Sequence, residues 1–188
     1  MERRESGKAE TIRHVAGSGL RLIPPNHMTT ETTCVLETLH LPQGRKRASI
    51  HRELLHHIET GETMLFRVLR GYIGAALRAS SDDTGAPLDR DHGITDLTVE
   101  SLASAWIECS QFCRECAWHL SYLDDERNGH DFWLTRNHHG GYLDESVNDE
   151  PAEFAMQQLA RAGESFGEVD LYIGDDRKLH FSNESRVA

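Results

Sequence analysis

The sequence predicts an α+β fold, a single domain dominated by helices with a short N-terminal strand and a C-terminal β-hairpin. Two long segments carry apolar residues at helical spacing, a third helix is marked by an early proline, and the final segment alternates apolar and polar residues. The length of 188 residues fits one domain of ordinary size, with or without a tail.

The beginning of the chain differs in pattern from the rest. Residues 1–33 mix charges with Gly-Ser-Gly and Pro24-Pro25 and have no periodic apolar face, so we predict a flexible N-terminal arm. Residues 34–188 are predicted to form the globular domain. It would open with a strand at 34–41, where apolar and polar residues roughly alternate until Pro42-Gln43-Gly44 ends the pattern.

Two amphipathic helices are predicted to supply most of the core. The first begins at Ser49, a candidate N-cap, runs to Leu77 and breaks near Gly61. A polar, Asp-rich loop is predicted at 80–91. Thr98 is predicted to open the second helix. One face of that helix holds Leu102, Ala105, Trp106, Cys109, Phe112, Cys113, Cys116 and Leu120.

The last third of the chain predicts one more helix and the hairpin. Pro151 suits a helix start and Gly163 lies near the predicted end. The apolar residues behind the proline are Phe154, Ala155, Leu159 and Ala162. In the hairpin, a turn at 174–177 separates Val169, Leu171 and Ile173, which share one face, from Leu179 and Phe181.

Composition and charge exclude several classes of protein. No stretch approaches the roughly 18 apolar residues of a membrane helix, and the charged N-terminus resembles no signal peptide, so we expect a cytoplasmic protein without membrane contact. The four cysteines are then expected to be reduced. The net charge of −11 opposes binding to phosphate backbones and rules against duplex DNA as a direct ligand.

Three cysteines lie at helical spacing and have two interpretations. Cys109, Cys113 and Cys116 point to one side of the second predicted helix, with His119 nearby, and zinc accepts such ligands. The same positions must be buried if the helix is to continue its apolar stripe, and cysteine is a small hydrophobe. Because four tetrahedral ligands are hard to gather from one straight helix, we expect core packing and no metal or cofactor.

The segment 130–145 has the least regular pattern of the chain. It concentrates His130, Asp131, Arg136, His138, His139 and Asp144, with Gly140-Gly141 allowing a tight turn. Such groups could ligate a metal or act as acid and base near neutral pH. The alternative is a surface loop for structure or partner contact, anchored by Phe132, Trp133, Tyr142 and Leu143, with Asp131 paired to Arg136. We favour the alternative because no hydrolase spacing is present.

Acidic residues cluster in four predicted turns: Asp82-Asp83, Asp124-Asp125-Glu126, Asp149-Glu150 and Asp175-Asp176. Residues 58–188 hold twenty-five Asp or Glu against eleven Lys or Arg. A single cluster is typically just solvated, but repeated carboxylates can replace phosphates in a basic groove. The acidic face as a whole is therefore a candidate decoy for a nucleic-acid-binding surface.

The run Gly129-His130-Asp131-Phe132-Trp133-Leu134-Thr135-Arg136-Asn137, followed by His139-Gly140, resembles a segment of small uncharacterised acidic proteins of bacteriophages and prophages. The similarity extends over about residues 60–181 and includes the Pro87-Leu88-Asp89 loop and the closing hairpin. This chain departs from the family pattern after Asn137, where one residue is lost and Leu143 replaces a tryptophan. The resemblance implies a phage setting and brings no established activity.

These observations together predict a phage-type acidic protein, not an enzyme, that binds and inhibits or redirects a nucleic-acid-handling complex of the host, as an anti-CRISPR-like anti-defence factor would. The expected partner is a host protein or ribonucleoprotein with a basic surface. The residues expected to contact it are Asp124, Asp125, Glu126, His130, Asp131, Trp133, Arg136, Asn137, His139, Tyr142, Asp175 and Asp176. The alternatives are a metal-dependent hydrolase using the 130–145 segment and a phage structural or assembly accessory.

Overall fold

The computed structural model describes residues 45–143 and 149–182, and the side chains from residue 48 onward. Its helices are α1 (Arg45–Thr60), α2 (Met64–Ala79), α3 (Val99–Glu115), α4 (Asp125–Arg136) and α5 (Glu150–Ser165). An antiparallel hairpin of β1 (Leu171–Ile173) and β2 (Leu179–Phe181) follows. The helix-dominated fold and its C-terminal hairpin agree with the prediction, whereas the predicted arm at 1–33 and strand at 34–41 lie outside the described residues.

The first predicted helix is two helices, separated as expected at Gly61. Its φ of +60° lies in the left-handed region that favours glycine, which explains why the break falls there. The hydroxyl of Thr63 then caps α2 by accepting a hydrogen bond from the backbone N–H of Phe66 at 3.4 Å. The expectation that Ser49 caps the first helix is wrong, because α1 already begins at Arg45 and Ser49 lies exposed within it.

Helices α2 and α4 approach so closely that their backbones touch. A Cβ on Gly71 would overlap the carbonyl oxygen of Glu126, and one on Gly129 would overlap the carbonyl oxygen of Val68. Arg67 bonds Asp125 at 2.7 Å on the flank of the same crossing. Glycine therefore permits direct contact between the two helix backbones, and an ion pair lies beside it.

Helix α4 occupies a segment for which the sequence predicts a loop, so that part of the prediction is wrong. Its buried side includes Gly129 and the polar residues Asn128, Asp131 and Thr135. A helix that buries glycine and hydrogen-bonded polar groups shows no apolar period, because its partner packs against backbone. The segment is the middle of the fold and not a surface loop.

Helix α3 agrees with its prediction in both start and orientation. Thr98 caps it through a hydrogen bond from the N–H of Ser101 at 3.2 Å. The predicted apolar face is buried throughout, including its three cysteines. Phe112 stacks on Phe132 of α4 with ring centroids 4.1 Å apart and planes nearly parallel. The core thus lies between α2, α3 and α4.

Helix α5 and the hairpin complete the core from the other side. Pro151 lies in the first turn of α5 as predicted, but Phe154 is 58% exposed. The buried face is instead Ala152, Ala155, Met156, Leu159, Ala160 and Gly163. The hairpin is attached to the start of α3, where the Ser101 hydroxyl accepts from the Phe181 N–H at 3.0 Å and the Thr98 N–H donates to the Leu179 carbonyl at 3.1 Å. Ile173, expected inside, is 36% exposed.

None of the described helices is both long enough and apolar enough to span a membrane.

Candidate functional site

The structure distributes the twelve predicted partner-contact residues over different environments. Asp131, Trp133, Arg136 and Tyr142 are all 3% exposed or less and belong to the interior. Asp125, Glu126, His130 and Asn137 are half-buried. The exposed members are Asp124, His139, Asp175 and Asp176. The twelve residues therefore do not form one continuous surface, and four of them reach no partner while the fold is intact.

Arg136 is the centre of a buried polar network. Its guanidinium, 1% exposed, bonds the Glu108 carboxylate at 2.5 Å and the Tyr72 hydroxyl at 2.6 Å. It also donates to the backbone carbonyls of Gly167 and Phe166 at 2.8 and 3.2 Å. Burial lowers the pKa of Arg136, but the neighbouring Tyr72 and the bond to Glu108 outweigh it and raise the pKa. The predicted pairing of Arg136 with Asp131 is wrong, and the network joins α2, α3, α4 and the chain after α5.

The conspicuous Asn-His-His-Gly-Gly run is the C-terminal cap of α4. The side-chain oxygen of Asn137 accepts the Val169 N–H at 2.9 Å, and its amide nitrogen donates to the Trp133 carbonyl at 3.1 Å. Gly141 has φ +83°, and a Cβ there would crowd Thr135. The chain then returns so that the buried Tyr142 hydroxyl donates to the Asn128 carbonyl at 2.7 Å. These motif residues hold the fold together.

The histidines of this region do not converge on one point. The buried Asp131 bonds Nδ1 of the half-buried His130 at 2.8 Å and Nε of Arg127 at 3.0 Å. His138 and His139 are exposed after α4, with His138 Nε2 3.6 Å from Glu168. Across residues 45–143 and 149–182, no group of three or more His, Cys, Asp or Glu side chains is placed to hold a metal ion.

The acidic cluster at 124–126 serves the fold. The Asp124 carboxylate caps α4 by accepting the N–H groups of Glu126 and Arg127 at 2.9 and 3.2 Å. Asp125 pairs with Arg67, and Glu126 pairs with Arg70. The charges of Asp125 and Glu126 are therefore compensated inside the molecule, although the sequence predicts all three for a partner.

The carboxylates in and next to the hairpin differ from those at 124–126 in their bonding partners. Asp175 and Asp170 are exposed, and neither has an ion-pair partner within the part of the chain that the structure describes. Asp176 accepts from Nε2 of His180 at 2.9 Å and from the Lys178 N–H at 2.9 Å, and these bonds lower its pKa. His180 in turn stacks on the exposed Tyr172. The hairpin region thus presents three exposed carboxylates, and hydrogen bonds orient that of Asp176 in the turn.

No family model, curated protein or solved structure matches this chain.

The three described cysteines are buried thiols of low reactivity. Burial, as the main cause, raises the pKa of Cys113 to about 12 and that of Cys116 to about 11, and it raises the pKa of Cys109 as well. The thiols stay protonated near neutral pH, and a thiol is a poor nucleophile and a poor metal ligand compared with a thiolate. Core packing, which the sequence analysis favours for them, agrees with their burial.

Exposed aromatic residues are the feature that sequence reasoning missed. Trp118 is 76% exposed, Phe154 58% and Tyr122 45%. Helical periodicity could have predicted that Phe154 is exposed, because its position is out of phase with residues 152, 155, 156 and 159, which α5 buries. Trp118 follows the end of α3 and is likewise out of phase with the buried positions 109, 112, 113 and 116, so the same argument applies to it.

Proposed function

We propose that this protein binds a basic surface of a partner protein and inhibits or redirects it, the partner being a nucleic-acid-handling complex of a bacterial host. The observation that carries the proposal is the set of exposed carboxylates near the C-terminus, of which Asp170 and Asp175 have no ion-pair partner among the described residues. From Asp149 to Ser182 the chain has eight Asp or Glu and three Lys or Arg. Carboxylates on a firm scaffold can occupy the phosphate positions of a groove lined by Lys and Arg.

The hairpin is suited to this role by its rigidity as well as its charge. Asp176 is oriented by two hydrogen bonds, and the strands that carry the turn are attached to α3 through Ser101. An ordered charged group loses less side-chain entropy on binding than a mobile one. The resemblance of Gly129–Asn137 to phage proteins supports the phage setting.

A charge-reversal experiment tests the proposal. Glu168, Asp170 and Asp175 are changed together to Lys, and the variant is compared with one in which Glu53, Asp83 and Asp89 are changed to Lys. All six residues are exposed, and both variants change the net charge equally. Each protein is used to capture host complexes from nuclease-treated bacterial lysate, and the affinity for the captured complex and its binding of nucleic acid are then measured at several salt concentrations.

We expect the hairpin variant to bind about tenfold or more weakly and to lose its salt dependence, because rim charges act through screened electrostatics. The control variant should retain most of its affinity, and the wild type should reduce nucleic-acid binding by the partner. Equal affinities of the two variants, or a captured complex whose nucleic-acid binding is unchanged, would overturn the proposal.

A further inference from the structure

Three exposed aromatic side chains lie in one region that the hairpin does not include, and we call them the aromatic patch: Trp118, Tyr122 and Phe154. The ring of His119, next to Trp118 in the chain, packs edge-on against Phe154 with centroids 6.0 Å apart. Tyr122 ends the 3-10 turn Leu120–Tyr122, which packs against α5. Side chains of this size are typically buried, so an exposed group of them indicates a contact surface.

The backbone beneath the patch is firmly held. Cys116 and Leu120, on either side of Trp118, are 4% and 2% exposed and anchor the segment in the core. The N–H of His119 donates to the Cys116 carbonyl at 2.8 Å. The buried Asn128 side chain donates to the carbonyls of Leu120 and Leu123 at 2.8 and 3.3 Å. The exposure of Trp118 is therefore a property of the folded chain and not of a loose end.

Carboxylates lie close in sequence to members of the aromatic patch. Glu115 precedes Trp118 by three residues. Glu153 directly precedes Phe154, and Glu150 lies one helical turn before it. Glu115 and Glu153 accept hydrogen bonds only from the neutral amides of Gln111 and Gln157 among the described residues. Arg114 is the cation nearest in sequence. Acidic residues thus outnumber basic ones in the sequence next to the patch.

We propose that the aromatic patch binds an arginine-bearing segment of the partner protein. A guanidinium stacks on Trp, Tyr or Phe through cation–π attraction, and nearby carboxylates can accept its N–H groups. A second copy of this chain would bring the same carboxylates together, and anionic lipid or nucleic acid would be repelled by them. The inference rests on the proposed function in that the partner is basic, and it adds a second contact surface with its own chemistry.

The aromatic patch can be tested without the partner. The probe is a short peptide of alternating Arg and Gly, titrated into the full chain while the three Trp indole N–H signals are followed by NMR. The chain has three tryptophans, of which Trp106 and Trp133 are buried. A Trp118→Phe variant assigns the exposed signal. Matched peptides with Lys or Glu in place of Arg test the chemistry of the probe.

We expect the Arg peptide to shift the Trp118 signal and to leave those of Trp106 and Trp133 unchanged. The Lys peptide should bind about threefold or more weakly, and the Glu peptide should not bind. Trp118→Ala should weaken binding of the Arg peptide, measured by calorimetry, whereas the matched variant Tyr172→Ala, which removes an exposed aromatic of the hairpin, should not. Glu150→Lys with Glu153→Lys should weaken binding as well.

Three outcomes would overturn the inference. They are an unmoved Trp118 signal, equal binding of the Arg and Glu peptides, and a Trp118 signal that moves with protein concentration alone, which would assign the patch to a second copy. Failure here is distinguishable from failure of the proposed function. The Lys variant of Glu168, Asp170 and Asp175 should bind the Arg peptide as the wild type does. Loss of partner capture with intact peptide binding would therefore assign the loss to the hairpin carboxylates and not to the aromatic patch.

Discussion

The Arg136 guanidinium combines burial with full use of its donors, so its replacement has a large expected cost. Arg136→Met leaves the Glu108 carboxylate, 13% exposed, without its cation and removes the donor from two backbone carbonyls. We expect the free energy of unfolding to fall by about 3–5 kcal/mol. Urea denaturation with an unchanged m-value measures it.

A double variant and a surface control make that measurement specific. Adding Glu108→Gln to Arg136→Met should cost less than the sum of the two single changes, because each single change already breaks the bond between the two side chains. Arg52→Met on the exposed side of α1 should change stability by no more than about 0.5 kcal/mol. Strict additivity of the two changes would show that Arg136 and Glu108 are not coupled.

The buried thiols predict a loss of stability in alkali. Unfolded thiols ionise near their ordinary pKa of 9.0, whereas the folded protein holds the protons of Cys116 and Cys113 to about 11 and about 12. Above the unfolded pKa, the folded state binds more protons than the unfolded state, so the free energy of unfolding should fall as the pH rises. Tyr72 and Tyr142, whose pKa values are also raised by burial, add to the fall at higher pH.

Urea unfolding at a series of pH values between about 8 and about 10 checks the expected fall. A Cys34→Ser background allows the three described thiols to be followed alone with iodoacetamide at mildly alkaline pH. They should react slowly in the native protein and rapidly in urea, since alkylation requires an accessible thiolate. A stability that is constant over this pH range, or rapid alkylation of the native protein, would contradict their burial.

At the scale of elements, two glycines of the same helix should respond in opposite directions to the same change. A methyl group on Gly71 would collide with the α4 backbone, which cannot yield as a side chain does, whereas one on Gly74 would meet only the end of Arg78 at 3.5 Å. Gly71→Ala should destabilise by about 3 kcal/mol or more. Gly74→Ala should stabilise by about 0.5–1 kcal/mol, because alanine favours a helix.

Both glycine variants can be compared in one denaturation series with Gly129→Ala, for which we expect the same loss as for Gly71→Ala. Equal stability of the Gly71 and Gly74 variants would show that the helices can separate by a methyl group without cost. Retention of the α2–α4 crossing can be followed through the ion pairs on its flank, Arg67 with Asp125 and Arg70 with Glu126.

The comparison of α3 with α4 shows how far the sequence carries the fold. The start and the buried face of α3 follow from the Thr98 cap and from the apolar period, although the predicted stripe continues to Leu120 and the helix ends at Glu115. The burial of α4 depends on Gly129 meeting the backbone of Val68 and on polar side chains whose partners are distant in sequence. Such complementarity depends on two elements together, so it cannot be predicted from the sequence of either element alone.

The candidate site divides in the same way. Exposed turn carboxylates such as Asp175 follow from local composition, since Gly and Asp favour turns. The internal use of Asp125 and Glu126 could not be predicted, because their partners Arg67 and Arg70 lie more than fifty residues away in α2. An unusual motif, here Arg136 and Asn137, indicates constraint of some kind, and in this protein the constraint is structural.

At the scale of the whole molecule, the hairpin closes the core as well as presenting charge. The ring centroid of Phe181 lies 6.0 Å from that of Tyr72 and 5.7 Å from that of Trp133. Strand β2 is hydrogen-bonded to the start of α3. A chain ending at Phe166 should lose cooperative unfolding and bind a hydrophobic dye, because these aromatic groups would be exposed. A sharp thermal transition of the shortened chain would show that the helices are stable alone.

The α2–α4 contact also constrains when the protein can fold during its synthesis. Gly71 meets the backbone of Glu126 and Gly129 meets that of Val68, in each case across more than fifty residues of chain, so the helix pair forms only after that long loop has closed. A nascent chain that has emerged only as far as α3 carries α2 without the partner that covers its glycine face. Arg136 and its carbonyl partners at 166 and 167 come later still. The ribosome must therefore release most of the chain before the core can assemble, and until then the apolar face of α2 is exposed.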